Sequence, residues 1–367
     1  MNKKIKFGLI GYGGFGKFVC NAVSESKLVD IIAIADTNIP SGEIPDGVIF
    51  FSDWKKMLSS SAVEAVFVAT PPSSHFEITR YAIESNKHVI VEKPLTITPD
   101  EAVIIRKLAE EFNRIVIVDF MLRFNPLLNK QYQLCLKNLT GPLERYYVEN
   151  YAQDESLPAE HWFWDEKISG GIITEHAVHF IDLVHWFDDQ PVLSINGNFD
   201  YRNNTQKDRV FATIHYQNGL IASHYHSFSR PQIFERTKMR FVFSNAQFDF
   251  DGWIPESGHF TLLGTHKTEY ELATFPNLEI TKKEAVTNKP IRGKPFDFTH
   301  LFEGRFSSSL TKQELYSNAV RDLFEDFSKK IYDDSHHLKV SLDDAIKAVH
   351  LAHEAKNNAS ISNFSPN

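Results

Sequence analysis

Four glycines within six positions, Gly11-Tyr12-Gly13-Gly14-Phe15-Gly16, sit between an apolar segment of strand length (residues 4–10) and an amphipathic segment of helix length (Phe15–Ser26). This narrows the fold more than any other feature. A glycine-rich turn between a strand and a helix lets the backbone close on a pyrophosphate, whose charge then meets the free N–H groups of the helix N-terminus. Gly11, Gly13 and Gly16 are spaced for that turn, with Gly14 and Phe15 inside it. Asp36 stands at the end of the next predicted strand, 20 residues past Gly16. An acid there hydrogen-bonds ribose hydroxyls and repels a 2′-phosphate, so NAD is expected over NADP.

Up to Leu122 the pattern alternates strand-length apolar runs with helix-length amphipathic ones, which predicts a parallel sheet with crossover helices. Strands are expected near Ile5–Ile10, Val29–Asp36, Ala65–Ala69, Lys87–Val91 and Ile115–Phe120. Helices are expected over Phe15–Ser26, Asp53–Ser60, Ser74–Ser85 and Pro99–Asn113. Thr98 caps the last of these and Pro99 fills its first position. Beyond Leu122 a helix over Ile172–Phe187 precedes alternating, aromatic-rich stretches at Arg209–Tyr216, Leu220–Ser227 and Met239–Phe250. These predict a mostly antiparallel sheet, with helices Lys312–Tyr332 and Ser341–Ala359 after it. The stretch 277–299, with Pro290 and Pro295, reads as a long loop.

At 367 residues the chain is long for one domain, and the change of texture divides it into 1–122, a nucleotide-binding doubly wound domain, and 123–367, an α+β domain. Net charge is −8 with acids and bases interleaved, so no basic surface is available for nucleic acid. No apolar run approaches the ~20 residues that span a bilayer. The apolar run behind the basic N-terminus is broken at once by glycines. With only Cys20 and Cys135, no disulfide framework is possible, and a cytoplasmic location is expected.

Two segments carry chemistry. Glu92-Lys93-Pro94 leaves the carboxyl end of a predicted strand, where ligands of open α/β sheets bind. Lys93 is therefore set where it can move the proton of a hydroxyl being oxidised, provided burial and the cationic nicotinamide lower its pKa toward neutrality. Ser169-Gly170-Gly171 leads into a helix on which Glu175, His179 and Asp182 share a face at steps of four and three. His179 can bond a substrate hydroxyl and relay its proton, with Glu175 or Asp182 orienting the ring.

Other candidates are less determined. Thr70 and Pro71 should line the cofactor, and His75 either joins them or packs at the start of its helix. Arg123 lies near substrate or simply braces the crossover into the second domain. Trp162 and Trp164 can stack on a sugar face, although core packing suits at least one of them. His224 and His226 share a strand face, which raises a metal reading together with His176, His179 and Glu175; no tight ligand spacing compels it, and no metal is expected. The 30 Phe residues read as core and sheet filler.

The glycine fingerprint, Ala69-Thr70-Pro71 with His75, Glu92-Lys93-Pro94, and Gly170-Gly171 trailed by Glu175, His179 and Asp182 together resemble the glucose–fructose oxidoreductase, inositol dehydrogenase and MocA family of NAD(P)-dependent dehydrogenases. The resemblance implies a Rossmann domain and an α/β domain whose open sheet often joins subunits into a homo-dimer or homo-tetramer. It also implies a sugar or cyclic polyol as substrate. Lys93 and His179 match the usual acid/base and substrate-binding positions, and Arg123-Phe124-Asn125-Pro126 matches a stretch near substrate. The chain departs from the pattern in four places. Glu175 stands where an aspartate is common, Ala177 and Ser169 replace frequent glycines, and His176 fills a typically apolar slot.

The expectation is an NAD-dependent dehydrogenase or reductase acting on a secondary alcohol or ketone. Lys93, His179 and Glu175 would be catalytic, Glu92 would help shape the cofactor site, and substrate would be held by Lys93, Arg123, Trp162, Glu175, His176 and His179. Two rivals are an NAD-dependent glycosidase working by transient oxidation and elimination, and a non-catalytic dinucleotide- or sugar-sensing regulator.

Overall fold

In a computed structural model, residues 4–38, 44–203, 205–275, 277–287 and 297–361 are described. The N-terminal part forms a six-stranded parallel sheet from β1 (Ile5–Ile10), β2 (Val29–Ala35), β3 (Ile49–Phe51), β4 (Ala65–Val68), β5 (His88–Val91) and β6 (Val116–Val118). Its order is β3-β2-β1-β4-β5-β6, and the connections are α1 (Gly14–Val23), α2 (Trp54–Leu58), α3 (His75–Glu84) and α4 (Pro99–Glu111). Both faces of such a sheet are covered, which explains why β4 reads as four successive apolar residues, all fully buried. At α4 the Thr98 hydroxyl accepts from the Glu101 amide and the Glu101 carboxylate accepts from the Thr98 amide, a reciprocal cap with Pro99 at the first position. The short β3 carries no alternation, and nothing in its sequence predicts it.

The chain continues through α5 (Pro126–Leu136), β7 (Leu143–Gln153), α6 (Glu166–Ser169), a π-helical turn (Ile173–Ala177) and α7 (Val178–Phe187). Helix α5 is absent from the expected elements, yet its signal is local. Asn125 is the N-cap, its side chain accepting from Leu127 and Leu128 amides at 2.9 and 3.3 Å, and Pro126 takes the first helical position.

Then come β8 (Val192–Tyr201), β9 (Lys207–Tyr216), β10 (Ile221–Arg230), β11 (Arg236–Phe243), β12 (Ala246–Asp251), β13 (Ser257–Gly264), α8 (His266–Ala273), β14 (Leu278–Ala285), β15 (His300–Ser307), α9 (Lys312–Tyr332), α10 (Leu342–Asn357) and β16 (Ala359–Ile361). Ten strands form the second sheet in the order β14-β15-β13-β12-β11-β7-β10-β9-β8-β16, antiparallel except for β7 with β10 and β8 with β16. The single stretch expected over Met239–Phe250 is a hairpin of β11 and β12. The loop expected over 277–299 contains strand β14, paired with β15 at the sheet edge. Most of its side chains are exposed, so no apolar alternation betrays it. Pro290 and Pro295 lie outside the described residues.

Packing obeys space rather than chain order. Among the described residues, one compact unit gathers those up to 124 with 157–182 and 316–357, and the other gathers those of 125–156, of 183–315 and from 358 on. The core of the first is completed from the far end of the chain, where Phe324 of α9 lies 5.2 Å from Phe7 of β1 and 5.2 Å from Phe67 of β4, centroid to centroid. In the second, Phe248, Phe260 and Phe306 form an aromatic cluster on the sheet. Among the described residues no helix is long and apolar enough to cross a membrane.

Within the first unit Arg123 acts as an internal clamp. Its Nε and Nη2 donate to the two Asp182 oxygens at 2.8 and 2.6 Å, and its Nη1 donates to the Lys339 carbonyl at 2.8 Å and to Asp344 at 3.2 Å. Arg123 is only 4% exposed and Asp182 1%, so truncating the cation strands a buried carboxylate. Arg123→Ala should therefore lower unfolding stability by about 3–5 kcal/mol, measured as a shift in the urea midpoint; a loss below about 1 kcal/mol would contradict the clamp.

Candidate active site

The sheet order reverses between β1 and β4, and the loops leaving their carboxyl ends flank the crevice where α/β folds of this kind bind ligand. After β1, Gly11 takes φ +95°, and a Cβ there would come within 2.4 Å of the Ala69 carbonyl oxygen. A Cβ on Gly16 would come within 2.1 Å of the Gly11 carbonyl oxygen, so both positions exclude any side chain. Gly13 and Gly14 differ, since nothing lies within 4 Å of their would-be Cβ atoms. Gly13 is also the N-cap of α1 without a side-chain cap, and no acid occupies the first turn. That combination of space and uncommitted amides suits a diphosphate.

Asp36, just past β2, accepts from the Tyr12 amide at 2.6 Å and from the Asn38 amide at 2.8 Å. It thus ties the turn after β1 to the end of β2 and retains acceptor capacity for a hydroxyl. Phe15 turns inward, its ring 6.2 Å from Phe67 and 6.2 Å from Tyr316. After β4, the Thr70 and Ser74 hydroxyls lie 2.6 Å apart and Pro71 precedes a short 3₁₀ turn. His75 is fully buried, with Nδ1 at 2.7 Å from the Pro94 carbonyl and Nε2 at 2.8 Å from the Thr70 carbonyl. It braces the loop after β4 against the loop after β5.

The loop after β5 brings Lys93 into an ion pair with Glu175, 82 positions away. Burial works to lower the Lys93 pKa, but Glu175, then Glu92 and Asp119, outweigh it and hold the amine above its ordinary value. The shift is opposite to the one expected from burial alone, because three carboxyls surround one ammonium. Burial likewise works to raise the Glu175 carboxyl, and Lys93, with His176 second, holds it below its usual range.

The turn carrying Glu175 explains a second departure. A regular helix would align Glu175, His179 and Asp182, but residues 173–177 wind as a π-turn, which holds one extra residue and shifts the phase of the helix beyond it. Glu175 meets Lys93, while Asp182 meets Arg123, so each carboxylate already has a cation and Asp182 does not orient His179. The His179 side chain is 6% exposed, its Nδ1 has no hydrogen-bond partner among the described residues, and its ring stands edge-on to Phe120 at 6.1 Å. Burial, then Lys93 and His176, pushes its pKa well below the ordinary value, so the ring is neutral. His176 packs 5.7 Å from Phe180 and is lowered to about 4, by burial first, against the pull of Glu175.

Arg123, read from the sequence as a substrate contact or as a brace, makes the clamp described above. Trp164 is buried and donates from Nε1 to the Leu157 carbonyl at 3.0 Å, whereas Trp162 is half-buried beside His161. His224 and His226 are fully buried in the second unit, with rings stacked at 6.3 Å. Among the described residues no group of three or more His, Cys, Asp or Glu is placed to hold a metal ion. Two residues near Lys93 escape sequence reasoning. Asp119 comes just after β6 and is legible only from its place at the carboxyl edge of the sheet. Tyr316, on α9, carries no local signal at all.

The chain is similar to known proteins over both of its parts. The oxidoreductase family model with the NAD-binding Rossmann fold matches residues 5–120, and the GFO/IDH/MocA C-terminal domain matches 144–248. The scyllo-inositol 2-dehydrogenase (NAD(+)) of Bacillus subtilis is 23% identical over 210 residues, which is 56% of this chain and 60% of that protein. GenD2 from gentamicin A biosynthesis, solved in complex with NAD, superposes with a TM-score of 0.74 at 17% identity, over 98% of this chain and 95% of that one. KijD10, a 3-ketoreductase from Actinomadura kijaniata solved with NADP and TDP-benzene, gives 0.73 at 15% identity, over 98% and 99%. These likenesses of structure show the fold. The chain spans about half the length of the curated relatives it matches, from 37% to 60% for the first three. With both domain models matched in order and the two sheets in place, the chain belongs to the Gfo/Idh/MocA family of oxidoreductases.

Proposed function

We propose that this protein is a dehydrogenase or reductase that uses NAD in preference to NADP and acts on a secondary alcohol or ketone of a sugar, a cyclic polyol or a derivative. The observation that carries the reading is the ion pair of Lys93 with Glu175, formed from segments 82 positions apart, beside the buried neutral imidazole of His179. Relatives described as an inositol dehydrogenase and a glucose-6-phosphate 3-dehydrogenase support the substrate class.

The fingerprint fits a dinucleotide by the open space at Gly13 and Gly14 and the uncapped amides of α1. When bound, the nicotinamide takes or gives a hydride at the carbinol carbon. The protein supplies the rest. Lys93, as an ammonium, donates to the substrate oxygen and can protonate it when a ketone is reduced. In the other direction the Lys93 amine takes that proton back, and His179, neutral and with Nδ1 unpartnered among the described residues, can relay it onward. Glu175 fixes the Lys93 amine with His176 beside it, and in this reading Trp162 offers an aromatic face to the substrate. In this reading residues 1–122 hold the cofactor, residues beyond them supply substrate contacts, and copies of the chain associate through the large sheet.

His176 also favours a second reading. A neutral imidazole next to Glu175 can take the proton released in an elimination, as redox-neutral glycoside cleavage requires. The two readings separate in one experiment: a panel of sugars, inositols and aryl glycosides with NAD, tracking NADH and free aglycone together. Net NADH supports the dehydrogenase, whereas aglycone released with only catalytic NAD supports cleavage.

Two variants test the roles. Lys93→Ala should lower kcat/KM by about 10²–10⁴-fold with dinucleotide binding retained, and normal turnover would refute the assignment. Asp36→Ser removes a charge-assisted acceptor worth about 1.5–3 kcal/mol, so NAD affinity should fall roughly 10- to 100-fold while NADP affinity holds or improves. Fluorescence titration reads both, and wild-type protein binding NADP as tightly as NAD would count against the preference.

A further inference from the structure

Asp119 is buried to 1% exposure, and no N–H or hydroxyl donor among the described residues meets either of its carboxylate oxygens. A buried carboxylate without donors is too costly to remain ionised, so such a group either finds a cation or acquires a proton. The strand register shows what stands beside it. Val91 of β5 pairs with Val118 of β6, and the Asp119 amide donates to the Val91 carbonyl at 2.9 Å. Glu92 and Asp119 are therefore neighbours, each one residue past the end of its strand at the carboxyl edge of the sheet. Their side chains leave the sheet edge side by side, and two buried carboxyls in adjacent positions do not both ionise, so one of them carries a proton.

We propose that Asp119 is a positioning residue for Lys93: it shares one proton with Glu92 across the ends of β5 and β6, and that proton limits the negative charge behind the amine. The inference rests on the reading of Lys93 as the group that meets the substrate oxygen. Three carboxyls, Glu92, Asp119 and Glu175, surround one ammonium. Glu175 is in direct contact and must be ionised to hold it. Were Glu92 and Asp119 ionised as well, the site would carry uncompensated charge in a buried place, and the amine would be bound too firmly to release its proton. One shared proton removes half of that excess.

The groups facing the pair from neighbouring elements agree with this. Lys93 adjoins it on the loop after β5, and Glu175 faces it from the π-turn with His176 beside it. Tyr316 faces it from α9, its phenol raised by burial and then by Glu92, Asp119 and Glu175. His75 on α3 stands behind Lys93 and is itself lowered by burial. Burial first, then Asp119, raises Glu92 well above the usual range, and burial pushes Asp119 up to about 6. With Glu92 holding the shared proton, Asp119 is the member of the pair that takes up a second one below about 6.

The sign of the pH dependence supplies a test that needs no substrate. A carboxyl raised on folding gives stability that is complete below its unfolded pKa and lost as pH rises through its folded value. Wild-type protein should therefore lose more Tm than Asp119→Asn between about pH 4 and pH 7. The difference, variant minus wild type, should grow more positive with pH in melts of the cofactor-free protein. Glu92→Gln, the second variant, should show the same trend. In ketone reduction the kcat/KM profile should lose or move its limb near pH 6 in Asp119→Asn, with Asp119→Glu restoring it.

If Asp119→Asn instead becomes relatively less stable toward neutral pH, Asp119 is an ordinary carboxylate held by Lys93 and the proposal fails. The expected melts with no turnover on any substrate would keep the shared proton and overturn the dehydrogenase reading. Turnover that depends on Lys93, with melts of the wrong sign, would do the reverse.

Discussion

An ammonium buried inside a protein must be answered by negative charge close at hand, and the site is built around that requirement. Lys93 leaves the sheet edge after β5, and Glu175 reaches it from a turn 82 positions later. Everything that fixes Glu175 is therefore part of how Lys93 is held. Gly170 and Gly171 take φ of +83° and +88° to lead into the π-turn, and the Gly171 carbonyl receives the Glu175 amide at 2.8 Å. Below the turn, Arg123 grips Asp182 and so anchors the same segment to the start of α10 through Asp344. The charges form two separate pairs along one segment rather than one catalytic row.

The legible part of the fold is the part written in one strong local pattern. β1, the glycine turn and α1 announce themselves because apolar run, turn chemistry and amphipathic period agree within about 25 residues. Helix α9 is readable over its full span, Lys312–Tyr332, from periodicity alone. Structure whose cause lies elsewhere in the chain escapes. Strand β14 is specified by pairing with β15 and carries mostly exposed, charged side chains, so its sequence looks like a loop. The phase of residues 175–182 depends on a π-turn that a 3.6-residue template cannot register.

The same division holds for the site. Lys93 and Glu175 are legible as chemistry from their motifs, and the structure brings them together. Arg123 reads as a substrate contact through the resemblance of residues 123–126 or as a brace of the crossover, and no local pattern announces its burial against three partners. His75 is ambiguous in sequence because one histidine at a helix start is common, and only the two carbonyls at its ring nitrogens decide its place. Tyr316 has no signature to find, since its neighbours Phe15 and Phe18 lie at the other end of the chain.

The π-turn at residues 173–177 also bears on how such a site can change over time. Side chains along it, such as the imidazole at position 176, can be exchanged while the backbone path stays the same. Its length cannot. Removing one residue would restore ordinary winding within the turn and re-aim the side chains it carries, turning the carboxylate of position 175 away from the amine of position 93. Diversification of substrate is thus open through replacement and closed through deletion in this stretch.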